Sequence, residues 1–377
     1  MKIVHVVMGK ANPYKMNGVN KSAHNLSKFQ HRMGLDVELW GITKNPHAAT
    51  PAREYPLRLF QTRRNRFNLD KGLKDTIQAL PVDTIIHFHG VLIPEFYGLS
   101  RELLKHNIRW VVSPRGAYSP TALNRSRFLK KLYFFLFEQK FLGQASAVHT
   151  LTPREKEWVQ AMYPYPENRI HVIPNGEDKE NIKFSFQAIV CADRPVFGFC
   201  GRLEHHHKGL DKLFEGFKQY RQHGGCGSLW MIGDGPSRGQ LEEYARSNNL
   251  SSCTVFLGPL FGEEKFNHIA NFDVFVHTSR WEGIPNAVLE AAALGKPLLL
   301  SKGTNMATEV SQWKCGIALA DNTPDHIATA MREFEVLGDN NGLVDLGANA
   351  TRMIEEKFSY KIVSKLLIDE VYKRLSE

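Results

Sequence analysis

Two cations and two carboxylates carry the clearest chemistry in this sequence. Arg202 and Lys208 stand six positions apart in Cys200-Gly201-Arg202-Leu203 and Lys208-Gly209, on a loop that runs from an apolar stretch into a helical one. Such a loop suits a diphosphate, because two fixed positive charges and the free amides of a first helical turn all attract oxyanions. One Arg/Lys pair alone is better read as two solvated side chains, so the reading needs support from the rest of the chain. Glu282 and Glu290 lie eight positions apart in Trp281-Glu282-Gly283-Ile284-Pro285-Asn286-Ala287-Val288-Leu289-Glu290. Pro285 suits the first position of a helix. Glu282 is then in the preceding loop, and Glu290 sits between one and two turns inside. At that spacing the two cannot form an acid–base dyad, but they can grip two parts of one polyhydroxylated ligand. Val288, Leu289, Ala291 and Ala292 flank Glu290. Its helix therefore reads as largely buried, and its carboxylate needs partners.

Three further positions fall at the ends of apolar runs. His89 precedes Gly90 and can project into a cleft, although a lone histidine is as readily a satisfied core or surface residue. Arg115, in Pro114-Arg115-Gly116, is a second candidate for the same cleft. Gly18 follows a loop holding Gly9, Asn12 and Pro13 and opens a helix, where glycine lets a ligand approach backbone amides. His205-His206-His207 does not make a metal site. Adjacent loop side chains diverge, and no carboxylate or cysteine stands at ligand spacing. The chain has no Asp-x-Asp motif of the kind that builds a sugar-nucleotide site on a divalent metal.

These residues must be positioned by a regular alternation of elements. Short apolar runs over 2–8, 36–42, 84–88, 110–113, 147–150 and 170–173 read as buried strands. Residues 177–194 read as a connector. The alternation resumes with strands over 196–200, 228–232, 254–257, 273–277, 297–301 and 316–319, and ends in a broken helical tail over 324–377. Two such runs predict an α/β protein of two doubly wound parallel-sheet, Rossmann-like domains. Ligands of these sheets bind beyond the carboxyl ends of the strands, where Arg202, Gly233, Glu282, His89 and Arg115 fall.

The 377 residues are 42% hydrophobic and 23% charged, which fits a multidomain globular protein and excludes a disordered chain. No apolar run approaches the roughly 20 residues of a membrane span. The start, MKIVHVVMGK, is too short in apolar length for a signal peptide, so a cytoplasmic protein is expected. Five cysteines without a Cys-x-x-Cys pair argue against a disulfide framework or a zinc site. The net charge of +9 is uneven: residues 1–180 carry 27 Lys/Arg against 15 Asp/Glu, and the remainder 21 against 24. A basic first half points to an anionic partner. Residues 121–143, TALNRSRFLKKLYFFLFEQKFLG, read either as a membrane-surface helix or as a buried helix with a basic outer face. Nucleic acid is disfavoured, because the charge sits on an apolar helix rather than on a groove-reading helix or a stacking platform.

With these motifs in order, the chain resembles the retaining glycosyltransferases of family 4 over nearly its whole length. Gly201-Arg202-Leu203 with Lys208-Gly209 is similar to the family's phosphate motif, and Ile232-Gly233-Asp234-Gly235-Pro236 to its second strand end. Glu282-Gly283 with Glu290 is similar to its two-glutamate motif, and Val172-Ile173-Pro174-Asn175-Gly176 to the segment before its interdomain connector. The resemblance implies the GT-B architecture. An acceptor-binding domain would span 1–180, a nucleotide-sugar-binding domain 190–358, and a last helix within 360–377 would cross back to the first domain. It implies transfer of a hexose from a nucleoside diphosphate sugar, UDP-linked in preference to GDP-linked, to a glycan or lipid-linked acceptor. Configuration would be retained, with neither metal nor cofactor. Arg202 and Lys208 would neutralise the leaving diphosphate, Glu290 would accept from ribose hydroxyls, and Glu282 would hold the donor sugar with Gly283 and Asn286 beside it. Gly233 and Leu260 would border the nucleotide, the Gly18 loop would lie over the phosphates, and His89 would contact the sugar at the reaction centre. Arg115 stands where the family often has a histidine and is the candidate acceptor contact. Many relatives assemble lipid-linked glycans at the inner membrane face, which implies peripheral association with anionic lipid. Two other readings compete. A dehydrogenase requires Gly-x-Gly-x-x-Gly after the first strand, which the Gly9–Gly18 segment lacks. A non-catalytic sugar-nucleotide-binding relative would usually have lost one of Arg202, Lys208, Glu282 or Glu290.

Overall fold

The computed structural model describes residues 1–377 apart from 11, 13–17, 48, 125–126, 192, 340 and 377, with the backbone alone for Thr121, Arg127, Asp339 and Ser376. The chain forms two compact units. Unit 1 takes Met1–Asn175 together with Tyr360–Glu377, and unit 2 takes Gly176–Ser359.

Unit 1 is built on seven parallel strands: β1 (Lys2–Met8), β2 (Asp36–Thr43), β3 (Leu57–Gln61), β4 (Ile85–His89), β5 (Arg109–Ser113), β6 (Ala147–Thr150) and β7 (Ile170–Val172). Their order is β3-β2-β1-β4-β5-β6-β7. The winding reverses between β1 and β4, where a doubly wound sheet opens its ligand crevice. β1 and β4 are buried almost throughout, as near-continuous apolar runs require. The apolar pattern does not announce β3: in LRLFQ only Phe60 is buried, and the strand lies at the sheet edge. The segment from Tyr360 returns to this unit after the whole of unit 2. Tyr360 stacks on Phe29 of the helix Gly18–Arg32 at 5.5 Å. Val363, Leu367, Val371 and Tyr372 are buried with Ile3, Leu26, Ile85 and Val111. Each such burial contributes about 1.5–3 kcal/mol, so the core of unit 1 is completed by its most distant residues.

The helical stretch after Arg127 runs through Arg127–Tyr133, a π-turn at Phe134–Glu138 and Gln139–Gly143. Phe134, Glu138, Phe141 and Leu142 face the core. Tyr118 donates a hydrogen bond to Glu138 at 2.7 Å, and burial pushes that carboxyl up to about 7. The outward side is apolar rather than basic. Phe128 is 79% exposed, Leu129 67%, Leu132 47%, Phe135 71% and Leu136 45%. These five fall within about 120° of helix circumference, flanked by exposed Lys131 and Lys140. Among the described residues, then, the outer face is apolar along its middle and basic at its flanks; Arg125 and the Arg127 side chain lie outside those described. No helix among the described residues is long and apolar enough to cross a membrane.

Unit 2 has six parallel strands: β8 (Val196–Cys200), β9 (Ser228–Ile232), β10 (Thr254–Gly258), β11 (Val274–His277), β12 (Leu298–Leu300) and β13 (Gly316–Ala318), in the order β10-β9-β8-β11-β12-β13. The segment read as a connector is part of this unit. Gln187 N–H donates to Asn267 Oδ1 at 2.7 Å and Ile189 N–H to Asn271 Oδ1 at 2.8 Å, while Phe184 and Ile189 pack on the core. Two asparagines four residues apart thus bind an extended strap that has no periodicity of its own.

Candidate active site

In unit 2 the predicted residues gather at the ends of β8, β9 and β11. After β8 the chain is pressed against the end of β9: Gly201 N–H donates to Ile232 O at 3.0 Å and Leu203 N–H to Asp234 O at 3.0 Å. Gly233 adopts φ 134°, and an added Cβ would collide with the carbonyl oxygen of Gly201, so only glycine permits this approach. Gly233 N–H in turn donates to Gly258 O at 2.8 Å, which brings the β10 end and the half-buried Leu260 beside it. The Lys208-Gly209 turn is held against the end of β11, where Thr278 Oγ1 donates to Lys208 O at 3.3 Å and Gly209 O at 3.1 Å. Gly209, at φ 62°, leaves no room for a Cβ against Thr278 O. The helix Leu210–Gln222 starts immediately after it.

Lys208 and Glu282 meet in this recess, each 14% exposed, with Lys208 Nζ donating to Glu282 Oε1. Ser279 Oγ donates to the same oxygen at 3.0 Å. That serine has one proton, so it must accept from His277 Nδ1, 3.1 Å away, which fixes the hydrogen of His277 on Nδ1. Burial lowers His277 to about 3, so it is neutral. Burial alone would raise Glu282, but the ammonium of Lys208 outweighs it and holds the carboxyl below its ordinary range. Asn305 Nδ2 clamps the backbone at Glu282 O (2.6 Å) and Gly283 O (3.2 Å). Arg202 lies on the same loop with its side chain exposed, and that side chain makes no hydrogen bond or ion pair among the described residues. Asn286 opens the helix Asn286–Ala293, and Glu290 lies within it, 4% exposed.

Sequence reasoning missed the partners. Lys265 Nζ contacts both oxygens of Glu290, at 2.9 and 2.8 Å, and so balances a buried carboxylate. Arg280 binds Asp211 through two contacts at 2.7 and 2.5 Å and donates to His206 O at 2.6 Å. This fixes the loop before Lys208. His207 stacks on Trp281 with ring centroids 4.9 Å apart, and its Nε2–H donates to Trp281 O at 2.9 Å. The histidine run is therefore a packing feature in part.

In unit 1 the loop expected over the phosphates falls mostly on residues 11 and 13–17, outside those described. Gly18 itself is exposed and opens the helix Gly18–Arg32. His89 and Arg115 come together in a network of buried histidines. His149 Nε2 lies 2.8 Å from Ile173 O, so its hydrogen is on Nε2 and Nδ1 accepts. Ser113 Oγ then donates to His149 Nδ1 at 2.7 Å and accepts from His87 Nε2 at 2.9 Å, leaving His87 Nδ1 to accept from the Tyr372 hydroxyl at 2.6 Å. A second line runs beside it. Arg115 Nη2 donates to His89 Nδ1 at 2.9 Å, His89 Nε2 to His5 Nδ1 at 2.8 Å, and His5 Nε2 to Gln30 Oε1 at 2.9 Å. Arg115 also donates to Asn175 Oδ1. Burial lowers His5 to about 4 and His149 to about 3, and carries His87 and His89 well below their ordinary value. All four are neutral. His89, 2% exposed, has both ring nitrogens engaged, so a direct side-chain contact with a sugar would have to break one of these bonds.

The ring nitrogens of His5, His87 and His89 lie close enough together to hold a metal ion. A metal would need their lone pairs, and those already accept from His89, Tyr372 and Arg115 respectively. The cluster is a hydrogen-bond relay.

Residues 16–181 match the family model for Glycosyltransferase Family 4, and residues 194–335 the model for Glycosyl transferases group 1. The putative glycosyltransferase EpsF of Bacillus subtilis (strain 168) is 31% identical over 246 residues. That match takes in 63% of this chain and 62% of EpsF, less than two thirds of the relative's length. Among solved structures, sucrose-phosphate synthase from Thermosynechococcus elongatus superposes with a TM-score of 0.74 at 16% identity, covering 100% of this chain and 99% of that one. Anabaena Alr3699/HepE in complex with UDP superposes at 0.73 with 15% identity, covering 99% and 100%. At such identities the structures establish the fold. Two doubly wound parallel sheets with these neighbours define a GT-B protein. The chain belongs to glycosyltransferase family 4.

Proposed function

We propose that this chain transfers a hexosyl group from a nucleoside diphosphate sugar, UDP-linked by preference, to a glycan or lipid-linked acceptor, with retention of configuration. The observation that carries the reading is the Lys208–Glu282 contact, with the unpaired side chain of Arg202 on the same loop as Lys208. The two charges satisfy each other. A diphosphate offers Lys208 a stronger partner, and Arg202 supplies a second cation without breaking an existing bond. Sugar hydroxyls then replace the ammonium on Glu282, so the exchange strands no buried charge. Cations fixed before the reaction stabilise the charge that grows on the leaving diphosphate, the task a divalent metal performs elsewhere; no metal or cofactor is part of the proposal. Glu290, its charge balanced by Lys265, accepts from the ribose hydroxyls, and the Gly233–Leu260 edge borders the base. Bound UDP in the HepE structure supports the choice of nucleotide.

In unit 1, His89 acts through Arg115. Its Nδ1 lone pair holds the guanidinium that contacts the acceptor, a positioning role in place of the sugar contact expected from the sequence. The apolar face around Phe128 and Phe135, flanked by lysines, rests on the inner leaflet of the cell membrane. Flotation with anionic vesicles and not with neutral ones is the expected result, and absence from both removes the membrane reading. The donor reading is tested by a thermal-shift panel of UDP, GDP and their sugars. Saturating UDP is expected to stabilise the protein by about 3 kcal/mol and GDP by much less. No response to any nucleotide refutes it.

A further inference from the structure

We infer that unit 1 carries a binding site for a phosphate or diphosphate group of the acceptor at the carboxyl ends of β1, β2 and β3, separate from Arg115. The word acceptor rests on the transferase reading above; the anion does not. A cavity of about 680 Å³ opens there, with Lys44, Arg63, Arg64 and Arg66 in its wall and Glu95 as its carboxylate. Glu95 is buried and already engaged by Arg66 through two contacts, at 2.7 and 2.8 Å, so it balances that cation alone. Arg58 close by in sequence is likewise tied to a carboxylate, Glu38, at 3.0 Å. Lys44, Arg63 and Arg64 are exposed, and their side chains make no hydrogen bond or ion pair among the described residues.

Three unbalanced cations around one concavity repel one another, and an anion seated among them relieves that repulsion. Two neighbouring guanidiniums favour phosphate, whose oxygens take paired N–H donors. The position also fits the fold, since doubly wound sheets bind ligands beyond these strand ends.

A second observation bears on what carries the phosphate. Phe67, next to Arg66, packs on Tyr133 and Phe137, with ring centroids 6.3 and 4.6 Å away. Those rings belong to the helical stretch whose outer side exposes Phe128, Leu132 and Phe135. The cationic cavity and the apolar face are thus joined through one aromatic cluster, as an amphiphile with a phosphate head and a hydrocarbon tail would require. A soluble phosphate ester shares the head-group chemistry.

The test uses the full chain carrying Arg202→Ala and Lys208→Ala, which silences the phosphate loop of unit 2. Calorimetric titration with farnesyl diphosphate and with inorganic pyrophosphate is then compared before and after adding Lys44→Ala, Arg63→Ala and Arg64→Ala. We expect the added substitutions to weaken binding at least about tenfold. Tighter binding of farnesyl diphosphate assigns the site to a lipid phosphate. Equal binding of the two probes, lost on substitution, assigns it to a soluble one. Affinity unchanged by the three substitutions, or no binding of either probe before them, overturns the inference. A circular-dichroism melt confirms that the substituted chain is folded. UDP binding by the chain carrying only Lys44→Ala, Arg63→Ala and Arg64→Ala is a separate readout and stays unchanged. If the wild-type chain fails to bind UDP, the transferase reading falls while the cavity result stands.

Discussion

The two units gather polar residues on and just beyond their central strands and use them in opposite ways. In unit 1, four neutral histidines at β1, β4 and β6 pass hydrogen bonds along two lines that end on Ile173 O and Gln30, with every ring nitrogen engaged. In unit 2, Lys208, Glu282, Lys265 and Glu290 are charged and paired two by two, and Arg202 is unpaired. A neutral relay loses a bond whenever a ligand intrudes. A charge pair can trade one partner for another at little cost. The same scaffold thus yields a cluster that holds Arg115 and an exchangeable one, as the proposed diphosphate-sugar donor would need.

The comparison can be broken first by acid. The depressed histidine values mean that the unfolded chain binds more protons than the folded one below about pH 6.5. Stability is therefore full above that pH and is lost as pH falls toward the folded values, about 4 for His5 and about 3 for His149. Each buried histidine contributes up to about 1.4 kcal/mol per pH unit in that window. Unit 1 has four in contact and unit 2 has His277, so hydrogen exchange between pH 6.5 and 4 is expected to show unit 1 opening first. Simultaneous opening would remove the contrast. Second, Lys208→Ala is expected to lower kcat by about 10²–10³-fold with an intact fold, measured by sugar transfer and circular dichroism. Third, Ser113→Ala leaves His87 Nε2 and His149 Nδ1 only their long contact with each other, 3.4 Å, and is expected to cost about 1 kcal/mol in urea denaturation, with UDP affinity unchanged. Fourth and smallest, Glu290→Gln keeps the shape and loses the charge facing Lys265. It is expected to raise KM for the donor by about three- to tenfold with a smaller change in kcat.

The contrast also shows what a sequence can reveal. Arg202, Lys208 and Glu282 are legible because glycine and proline mark strand ends and helix starts, and a charge at such a point has few structural uses. Lys265 and Asp211 are not, because their partners are 25 and 69 residues away and nothing local announces the pairing. The relay left a faint trace: His5, His87, His89 and His149 interrupt apolar runs, and His5 stands beside His87 in the register of β1 and β4. Their hydrogen-bond partners depend on rings brought together from three strands, so His89 alone does not disclose them. The parallel sheets were legible from alternation alone. The strap at 177–194 and the edge strand β3 were not, since one is held by two asparagine side chains and the other buries a single phenylalanine.

One consequence concerns synthesis. The hydroxyl that caps the relay at His87 belongs to Tyr372, and Tyr360 covers Phe29, yet residues 176–359 are made in between. On the ribosome, unit 2 has all of its chain before unit 1 does. Until the closing helix emerges, the earlier half waits with an uncovered hydrophobic groove and an unquenched imidazole. A chain that stopped before Tyr360 would keep Ile3, Leu26, Phe29 and Ile85 uncovered.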